Sequence, residues 1–378
     1  MKVIVLTGRY PSTDNPYAHM FVHTRNIEYV RQGHSVRVLV PSEKSHKYMI
    51  DGVNVEMAPS SDLRKELASA DRVMVHLLLH RFSQALDAAP LYSELLENNI
   101  PTVFFIHGVE TQTIWGSRRD DIKWHSPFSL ARWAYRDCFL INKMRKTLAL
   151  FNEPQVRVKF VTPSKWMMHE AIGHTNVNIE AKTSVIPNGI DTSKFAFEDH
   201  WHNRHSLLSI RPLYLKGKYA VDLMIESTAI LRGKVHSTLY GAGPEEASII
   251  NELQARDLTN SFTLVNKFIN SKDIPSIHSE HGIYLAVTRM DAQGVSMCEA
   301  MSSGMPTVSF DTCAIPEFIT HNHSGLLAPA YDCDVYAHNV SELIESRSLF
   351  DKIAQNGRKR MEAIDIENTC REELTIRL

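Results

Sequence analysis

Apolar runs of strand length alternate with helix-length segments along this chain, and the alternation occurs twice. KVIVLT opens the first series. A polar loop holding Pro11 and Pro16 follows, and Phe21 to Gln32 then has helical spacing, with Phe21, Ile27 and Val30 expected on its buried face. Gly33 ends that helix, and SVRVLVP is the next strand. VNVEMAP, DRVMVHLLL, TVFFIHG, VRVKFVTPS and TSVIPNG continue the series at intervals that leave room for helices. A second series starts near residue 205 with SLLSIRPL. After it Tyr219, Leu223, Ile225, Ile230 and Leu231 are expected on one helix, and VHSTLYGAGPE, FTLVNKF, GIYLAVT and PTVSFD are further strands. Such alternation implies parallel sheets covered on both faces.

The expected fold class is α/β, with two tandem Rossmann-like, doubly wound domains facing a cleft. The junction falls at PNGIDTSKF, residues 187–195. The first domain is expected over 1–190 and the second over 191–355, with 356–378 a helical segment packing back toward the first. A chain of 378 residues is too long for one ordinary core, which agrees. Ligands of such sheets bind outside the carboxyl ends of the strands.

Bulk properties narrow the function. The formal net charge is −2, so no global field points to nucleic acid. No stretch approaches eighteen consecutive apolar residues, and MKVIVLTGRYP reads as a buried strand rather than a secretory signal. Five cysteines, Cys138, Cys298, Cys313, Cys333 and Cys370, are widely spaced without a C-x-x-C. That argues against a disulfide framework or a zinc site and for a reducing, cytoplasmic setting. The nineteen histidines are scattered and form no H-E-x-x-H.

Three short stretches carry chemistry. In DAQGVSMCEAMSSGMPTVS, 291–309, a helix is expected from Gly294 to Ser303, ended by Gly304 and Pro306. Its first amides, Gly294 to Met297, would be unpaired and would favour an anion. Asp291 before it and Glu299 inside it could accept hydrogen bonds from hydroxyls at the two ends of one ligand. Such a ligand, with phosphates between its hydroxyls, is a nucleotide sugar. The same spacing also serves a loop acid and an exposed helix acid that bind nothing. In SIRPLYLKGK, 209–218, Arg211 and Lys216 stand on a strand-end loop and could clamp a diphosphate, or form an ordinary solvated loop. YGAGPE, 240–245, is a strand, a glycine turn and a helix start, and is equally an ordinary turn.

Taken in order, these residues resemble the GT-B glycosyltransferases of the large retaining family 4. The E-x7-E pattern of that family is here D-x7-E, Asp291 to Glu299, followed by Ala300, Met301, Gly304 and Pro306. Arg211 and Lys216-Gly217 match its basic loop, and Pro187 to Phe195 match its P-N-G-[VI]-D-x-x-x-F linker in full. Gly241 to Pro244, Pro316-Glu317, Ser324 to Leu327 and Gly33 to Val36 follow in the right positions. The resemblance implies a retaining transfer of a sugar from a nucleotide-diphosphate sugar. Glu299 would hold the ribose, and Arg211 and Lys216 the diphosphate. The amides of Gly294, Val295 and Ser296 would meet the phosphate or donor sugar. Asp291 would address a sugar hydroxyl, the base would lie near Asn266, Lys267 and Phe268, and His107 would face the donor sugar. The acceptor would be a saccharide or lipid-linked saccharide in surface polysaccharide or glycolipid synthesis.

The chain departs from that pattern at three places. Asp291 is one methylene shorter than the usual Glu, PSTDNPYAHMF (11–21) replaces a Gly-Gly near the first helix, and Arg289 replaces a frequent Ser. The D-x-D at 332–334 is expected to cap a helix rather than hold a metal, and no cofactor is expected. Residues 117–150 interleave Arg118, Arg119, Lys123, Arg132, Arg136, Lys143, Arg145 and Lys146 with Trp124, Phe128, Trp133, Tyr135 and Phe139. Such a face either packs on its own domain or lies on an anionic bilayer, which would make the protein peripheral on the inner face of the membrane. The same fold also admits an epimerase, a phosphorylase, or a nucleotide-sugar binder that has lost activity. Nucleic acid is not an expected partner.

Overall fold

The computed structural model of the chain describes residues 1–12, 15, 18–119 and 122–378. It divides into two compact units. Unit 1 comprises 1–189 together with 366–378, and unit 2 comprises 190–365.

Unit 1 is built on an eight-stranded sheet in the order β3-β4-β2-β1-β5-β6-β7-β8. The strands are β1 (Lys2–Thr7), β2 (Ser35–Pro41), β3 (His46–Ile50), β4 (Val53–Ala58), β5 (Arg72–His76), β6 (Thr102–Phe105), β7 (Val158–Thr162) and β8 (Thr183–Val185). All pair in parallel except β3, which runs antiparallel to β4 at the edge. The central strands are buried on both faces, so they read as unbroken apolar runs. β3 was not expected from the sequence. Its pattern HKYMI leaves His46, Lys47 and Met49 exposed, as suits an edge strand.

The first helix, Met20–Arg31, lies where expected but buries a different face. Ile27 is exposed, and Phe21 and Val30 are only half-buried. The buried side chains are Val22, His23, Arg25, Asn26, Glu28 and Tyr29. The polar ones are tolerated because they are paired. The Tyr10 hydroxyl lies 2.7 Å from Nδ1 of His23 and accepts from Asn26, and His23 Nε2 is 2.9 Å from Asp51.

Glu28 pairs locally with Arg31 and Gln32, whereas Arg25 and Tyr29 find a shared partner at the far end of the chain. The helix Ile366–Thr375 sets Glu373 against Arg25 at 2.9 Å and against the Tyr29 hydroxyl, with Glu373 fully buried. Arg72 donates to the carbonyls of Glu373, Leu374 and Ile376 and so caps that helix. Ile366, Cys370, Leu374 and Ile376 join the unit 1 core. Breaking a buried pair such as Arg25–Glu373 typically costs about 3–5 kcal/mol, because a bare charge is left behind.

Unit 2 carries a fully parallel six-stranded sheet in the order β11-β10-β9-β12-β13-β14. Its strands are β9 (Ser206–Ile210), β10 (His236–Gly241), β11 (Phe262–Asn266), β12 (Ile283–Ala286), β13 (Thr307–Phe310) and β14 (Leu326–Ala328). The helix after β9 is Val221–Ile230. It buries Leu223 and Ile225 as expected, whereas Tyr219 precedes it in a short turn and Ile230 is exposed. Residues 356–365 stay with this unit instead of leaving it at 355. The cause is the helix Arg347–Glu362, whose Arg358 donates to the carbonyls of Thr192, Phe195 and Ser302. Asp332 caps the helix Cys333–Glu345 by accepting from the Val335 amide at 3.0 Å. None of the five cysteines is in a disulfide.

Candidate functional site

In unit 2 the chemistry-bearing residues collect at the carboxyl ends of β9, β10 and β12. Arg211 directly follows β9 and is 8% exposed. Its guanidinium donates to the carbonyl of Tyr219 at 3.0 Å and to Ser209 Oγ at 3.3 Å. Both acceptors are neutral, and no carboxylate pairs with it among the described residues. A buried cation without a counter-charge is costly, and an arriving anion would relieve that cost. The backbone here is tight. A Cβ on Gly241, at the end of β10, would fall 1.9 Å from the Arg211 carbonyl oxygen.

The helix Val295–Ser302 begins after β12. Gly294 is its N-cap with φ +75°, a conformation that favours glycine. Asp291 Oδ1 accepts from the Gln293 amide at 3.1 Å and the Gly294 amide at 2.7 Å. This corrects two expectations. The Gly294 amide is already paired, so the open amides start at Val295. One oxygen of Asp291 shapes the loop, which leaves Oδ2 as the oxygen that could meet a ligand. The shorter acid suits this role, because Asp, unlike Glu, reaches amides two and three residues on.

Glu299, within this helix, is partly open to solvent, and its carboxylate makes no hydrogen bond among the described residues. Burial raises its pKa to about 7, and the field of Lys194 opposes the rise. Tyr284, at the centre of β12, links the cluster. Its hydroxyl bonds the backbone of Ile210 and the side chain of Ser296, and it feels the charges of both Arg211 and Glu299. Arg211, the start of the helix and Glu299 therefore surround one buried phenol.

Lys216 is exposed and has no ion-pair partner among the described residues. Its loop is nevertheless fixed. Glu245 accepts from the Leu215 amide at 2.8 Å, and the Arg289 amide and the Thr288 hydroxyl both donate to the Lys218 carbonyl. Arg289 forms a two-pronged pair with Asp222, both contacts at 2.8 Å. The arginine that departs from the family pattern thus braces the loop that carries Lys216. Asn266 ends the edge strand β11, separated from β9 by β10, and donates to Glu246 at 2.7 Å. Lys267 and Phe268 follow it and are exposed.

Unit 1 has its own cluster beyond β5 and β6. His107 Nε2 lies 3.1 Å from Nδ1 of the fully buried His76. Burial, then the Arg25 charge, hold His107 well below the ordinary histidine range. Glu110 is fully buried and accepts from the amides of His107 at 3.0 Å and Leu77 at 3.1 Å, so it ties the two strand ends together. Burial raises its pKa to about 7.

Elsewhere in unit 1, Trp115, Trp124 and Trp133 lie with ring centroids 5.9–6.2 Å apart. Phe82, Tyr135 and Phe139 stack at 4.3–5.5 Å. Phe128 is 80% exposed, and Trp124 and Phe82 are also largely exposed. The helix Pro127–Ala134 has no buried residue. Arg136 is an exception to the basic surface, since its guanidinium donates inward to the carbonyls of Val109 and Gln112. Asp120 and Asp121 lie outside the described residues, as do Thr13, Asp14, Pro16 and Tyr17 of the departing 11–21 loop.

Residues 209–360 match the model of the family described as glycosyl transferases group 1. The amylovoran biosynthesis glycosyltransferase AmsK of Erwinia amylovora is 32% identical over 167 residues, 41% of this chain and 40% of that protein. The O-antigen chain mannosyltransferase C of Escherichia coli is 24% identical over 200 residues, 51% of this chain and 53% of that protein. The matches thus span about half or less of these curated relatives. The crystal structure of Anabaena HepE in complex with UDP and glucose superposes with a TM-score of 0.72 at 14% identity, covering 98% of both chains. The sucrose-phosphate synthase of Thermosynechococcus elongatus superposes with a TM-score of 0.69 at 12% identity, covering 98% of this chain and 97% of that one.

This chain is a GT-B protein resembling the group 1 glycosyltransferases. In this GT-B protein the structure gathers Arg211, Ser296 and Glu299, and sets Asp291, Gly294 and Val295 beside them in one loop and helix start. Lys216 stands on a braced loop nearby in sequence, and Asn266 to Phe268 stand at the sheet edge. Sequence reasoning missed Tyr284, Lys194, His76 and Glu110. Lys194 lies inside the P-N-G-I-D-T-S-K-F linker, but its relation to Glu299 spans more than a hundred residues, and spacing carries no signal for it.

Proposed function

We propose that this GT-B protein is a retaining glycosyltransferase. It moves a sugar from a nucleotide-diphosphate sugar to a saccharide or lipid-linked saccharide acceptor in surface polysaccharide or glycolipid synthesis. The observation that carries the reading is the pairing of two unmatched groups in unit 2. Arg211 is a buried cation without a carboxylate, and Glu299 is a half-buried carboxyl without a hydrogen-bond donor among the described residues. A nucleoside diphosphate supplies what each lacks, phosphate oxygens for Arg211 and ribose hydroxyls for Glu299. The amides of Val295 and Ser296 meet the phosphates, aided by the helix dipole. Lys216 adds an exposed positive charge. Asp291 Oδ2 takes a hydroxyl of the transferred sugar, and Phe268 offers a face to the base. In unit 1, His107 is read as a sugar-facing residue.

As the glycosidic bond breaks, negative charge grows on the diphosphate. Arg211, Lys216 and the helix amides are in place before that charge appears, which is the condition for electrostatic catalysis. These groups stabilise the leaving group without a metal ion. The acceptor hydroxyl attacks from the face the diphosphate leaves, and configuration is retained. The reading is tested by thermal unfolding with a panel of nucleoside diphosphates and their sugars. A ligand at about 100 times its Kd should stabilise by roughly 2.7 kcal/mol. Product analysis with a sugar acceptor then shows transfer; turnover without acceptor or only with free phosphate would replace it by epimerisation or phosphorolysis. If no nucleoside diphosphate shifts unfolding, the proposal fails.

We also assign the aromatic and basic surface of unit 1 to an anionic bilayer. Trp115, Trp124 and Phe128 are suited to the interface, and Arg119, Lys123, Arg132, Arg145 and Lys146 to lipid phosphates. Among the described residues no helix is long and apolar enough to cross a membrane. Sedimentation with phosphatidylglycerol vesicles should capture the protein, and a Trp124→Ser, Phe128→Ser double variant should bind about tenfold or more weakly. Equal binding of wild type and variant would overturn this assignment.

A further inference from the structure

The histidine pair of unit 1 carries information that neither motif nor family assigns. His76 ends β5, and across the β5–β6 pairing it stands opposite Phe105. Its ring stacks on Phe105 with centroids 3.9 Å apart, and it is fully buried. Its Nδ1 faces Nε2 of His107 at 3.1 Å. Its other nitrogen, Nε2, is buried without a partner among the described residues. His107 itself packs edge-on against Phe21, and its Nδ1 makes no hydrogen bond among the described residues.

The surroundings keep both rings uncharged. Burial acts first on each, and the charge of Arg25 acts on both. His19, bonded to Thr7 at 3.0 Å, is itself pushed down to about 4. Glu110 spends its carboxyl oxygens on the backbone amides of Leu77 and His107 rather than on either ring.

Two neutral imidazoles joined nitrogen to nitrogen share one proton, so two arrangements exist. In the first, His107 donates from Nε2. His76 must then carry its own proton on Nε2, which buries an N–H with no acceptor. In the second, His76 donates from Nδ1 and keeps only a lone pair at the buried Nε2. An orphaned buried N–H is rarer than an under-satisfied acceptor, which favours the second. His107 then accepts at Nε2 and must hold its proton at Nδ1.

We propose that His76 is a positioning residue that fixes His107 as the Nδ1–H tautomer. His107 thereby presents a hydrogen-bond donor to the sugar and no free basic nitrogen. It orients an oxygen of a bound sugar and does not take a proton during transfer. This rests on the reading that His107 meets that sugar.

The primary test does not use activity. Long-range proton–nitrogen correlation spectra of histidine-labelled protein report which ring nitrogen bears the proton, with His76→Gln and His107→Gln variants assigning the signals. Between pH 6 and 8 His107 should show a protonated Nδ1 and a bare Nε2. The opposite tautomer, or a His107 that titrates in this range, overturns the proposal even if nucleotide binding stands.

The second test is kinetic. His76→Phe keeps an aromatic ring on Phe105 but removes the donor. It should lower kcat about 10- to 100-fold with nucleoside diphosphate affinity unchanged, and kcat should become pH-dependent as His107 is freed. His76→Gln, whose amide can still donate, should recover part of the loss. A His76→Phe enzyme with wild-type kcat and the same His107 tautomer would also overturn it. Loss of nucleotide binding in the wild type would instead sink the functional reading and leave the tautomer result intact.

Discussion

Glu299→Gln is expected to melt at a higher temperature than wild type at pH 8 while binding nucleotide about 30- to 100-fold more weakly. The two effects share one cause. Burial raises the Glu299 pKa to about 7 from an ordinary 4.5, so the folded state holds its proton more tightly than the unfolded chain does. Between about pH 4.5 and 7 the native protein binds more protons, and stability falls as pH rises through that window. Below 4.5 the penalty is absent, and above 7 it is complete. Gln is neutral and nearly the same shape, so it removes the penalty. After allowance for the partly open side chain, the gain at pH 8 is about 2 kcal/mol, or roughly 5 °C in the unfolding of unit 2. At pH 4.5 the two proteins should melt together. Binding moves the other way, because ribose hydroxyls donate to the ionised carboxylate. Wild-type affinity should accordingly fall by up to about tenfold per pH unit below 7. A Gln variant that binds nucleotide normally, or gains nothing at pH 8, would remove Glu299 from the site.

Arg211→Met is expected to lower kcat by about 100- to 1000-fold, the usual loss for one preorganised group facing transition-state charge. Without nucleotide the same variant should be as stable as wild type or more so. The guanidinium is buried against the neutral acceptors Ser209 and Tyr219, so its removal breaks no ion pair. Replacing a buried charge by an apolar side chain of similar length is often neutral or stabilising. Lys216→Met should cost less, about tenfold, because its exposed charge is screened by water and salt. Thermal unfolding and steady-state kinetics on the same preparations separate the two effects. Marked destabilisation of unliganded Arg211→Met, with kcat retained, would make Arg211 a structural cation.

What was legible follows from where the information lies. Strands buried on both faces, such as β1, β5 and β12, appear as unbroken apolar runs, and they were found. β3 was not found, because an exposed edge strand needs no apolar run. The helix Met20–Arg31 was placed correctly but its buried face was misread. Hydrophobic spacing cannot mark a face made of His23, Arg25, Asn26 and Glu28, whose burial depends on partners such as Glu373 and Tyr10. At the site, Arg211, Gly294 and Glu299 stood out because their local spacing has backbone meaning. Asp291 was recognised, but its turn to the Gln293 and Gly294 amides was not foreseen. Lys194 beside Glu299, Tyr284 on Ile210 and His76 on His107 are meetings of distant segments, and only the fold brings them together.

The return of residues 366–378 to unit 1 has a consequence for how the protein is made. A ribosome releases the chain from its amino end, and domains generally fold as units in that order. Here the contiguous stretch 190–365 is complete while the first-made sheet still lacks its Glu373 and the carbonyls that engage Arg72. The stretch 190–365 therefore becomes self-sufficient first, and the sheet made before it waits, with the Arg25 charge unanswered, until the helix Ile366–Thr375 has left the exit tunnel.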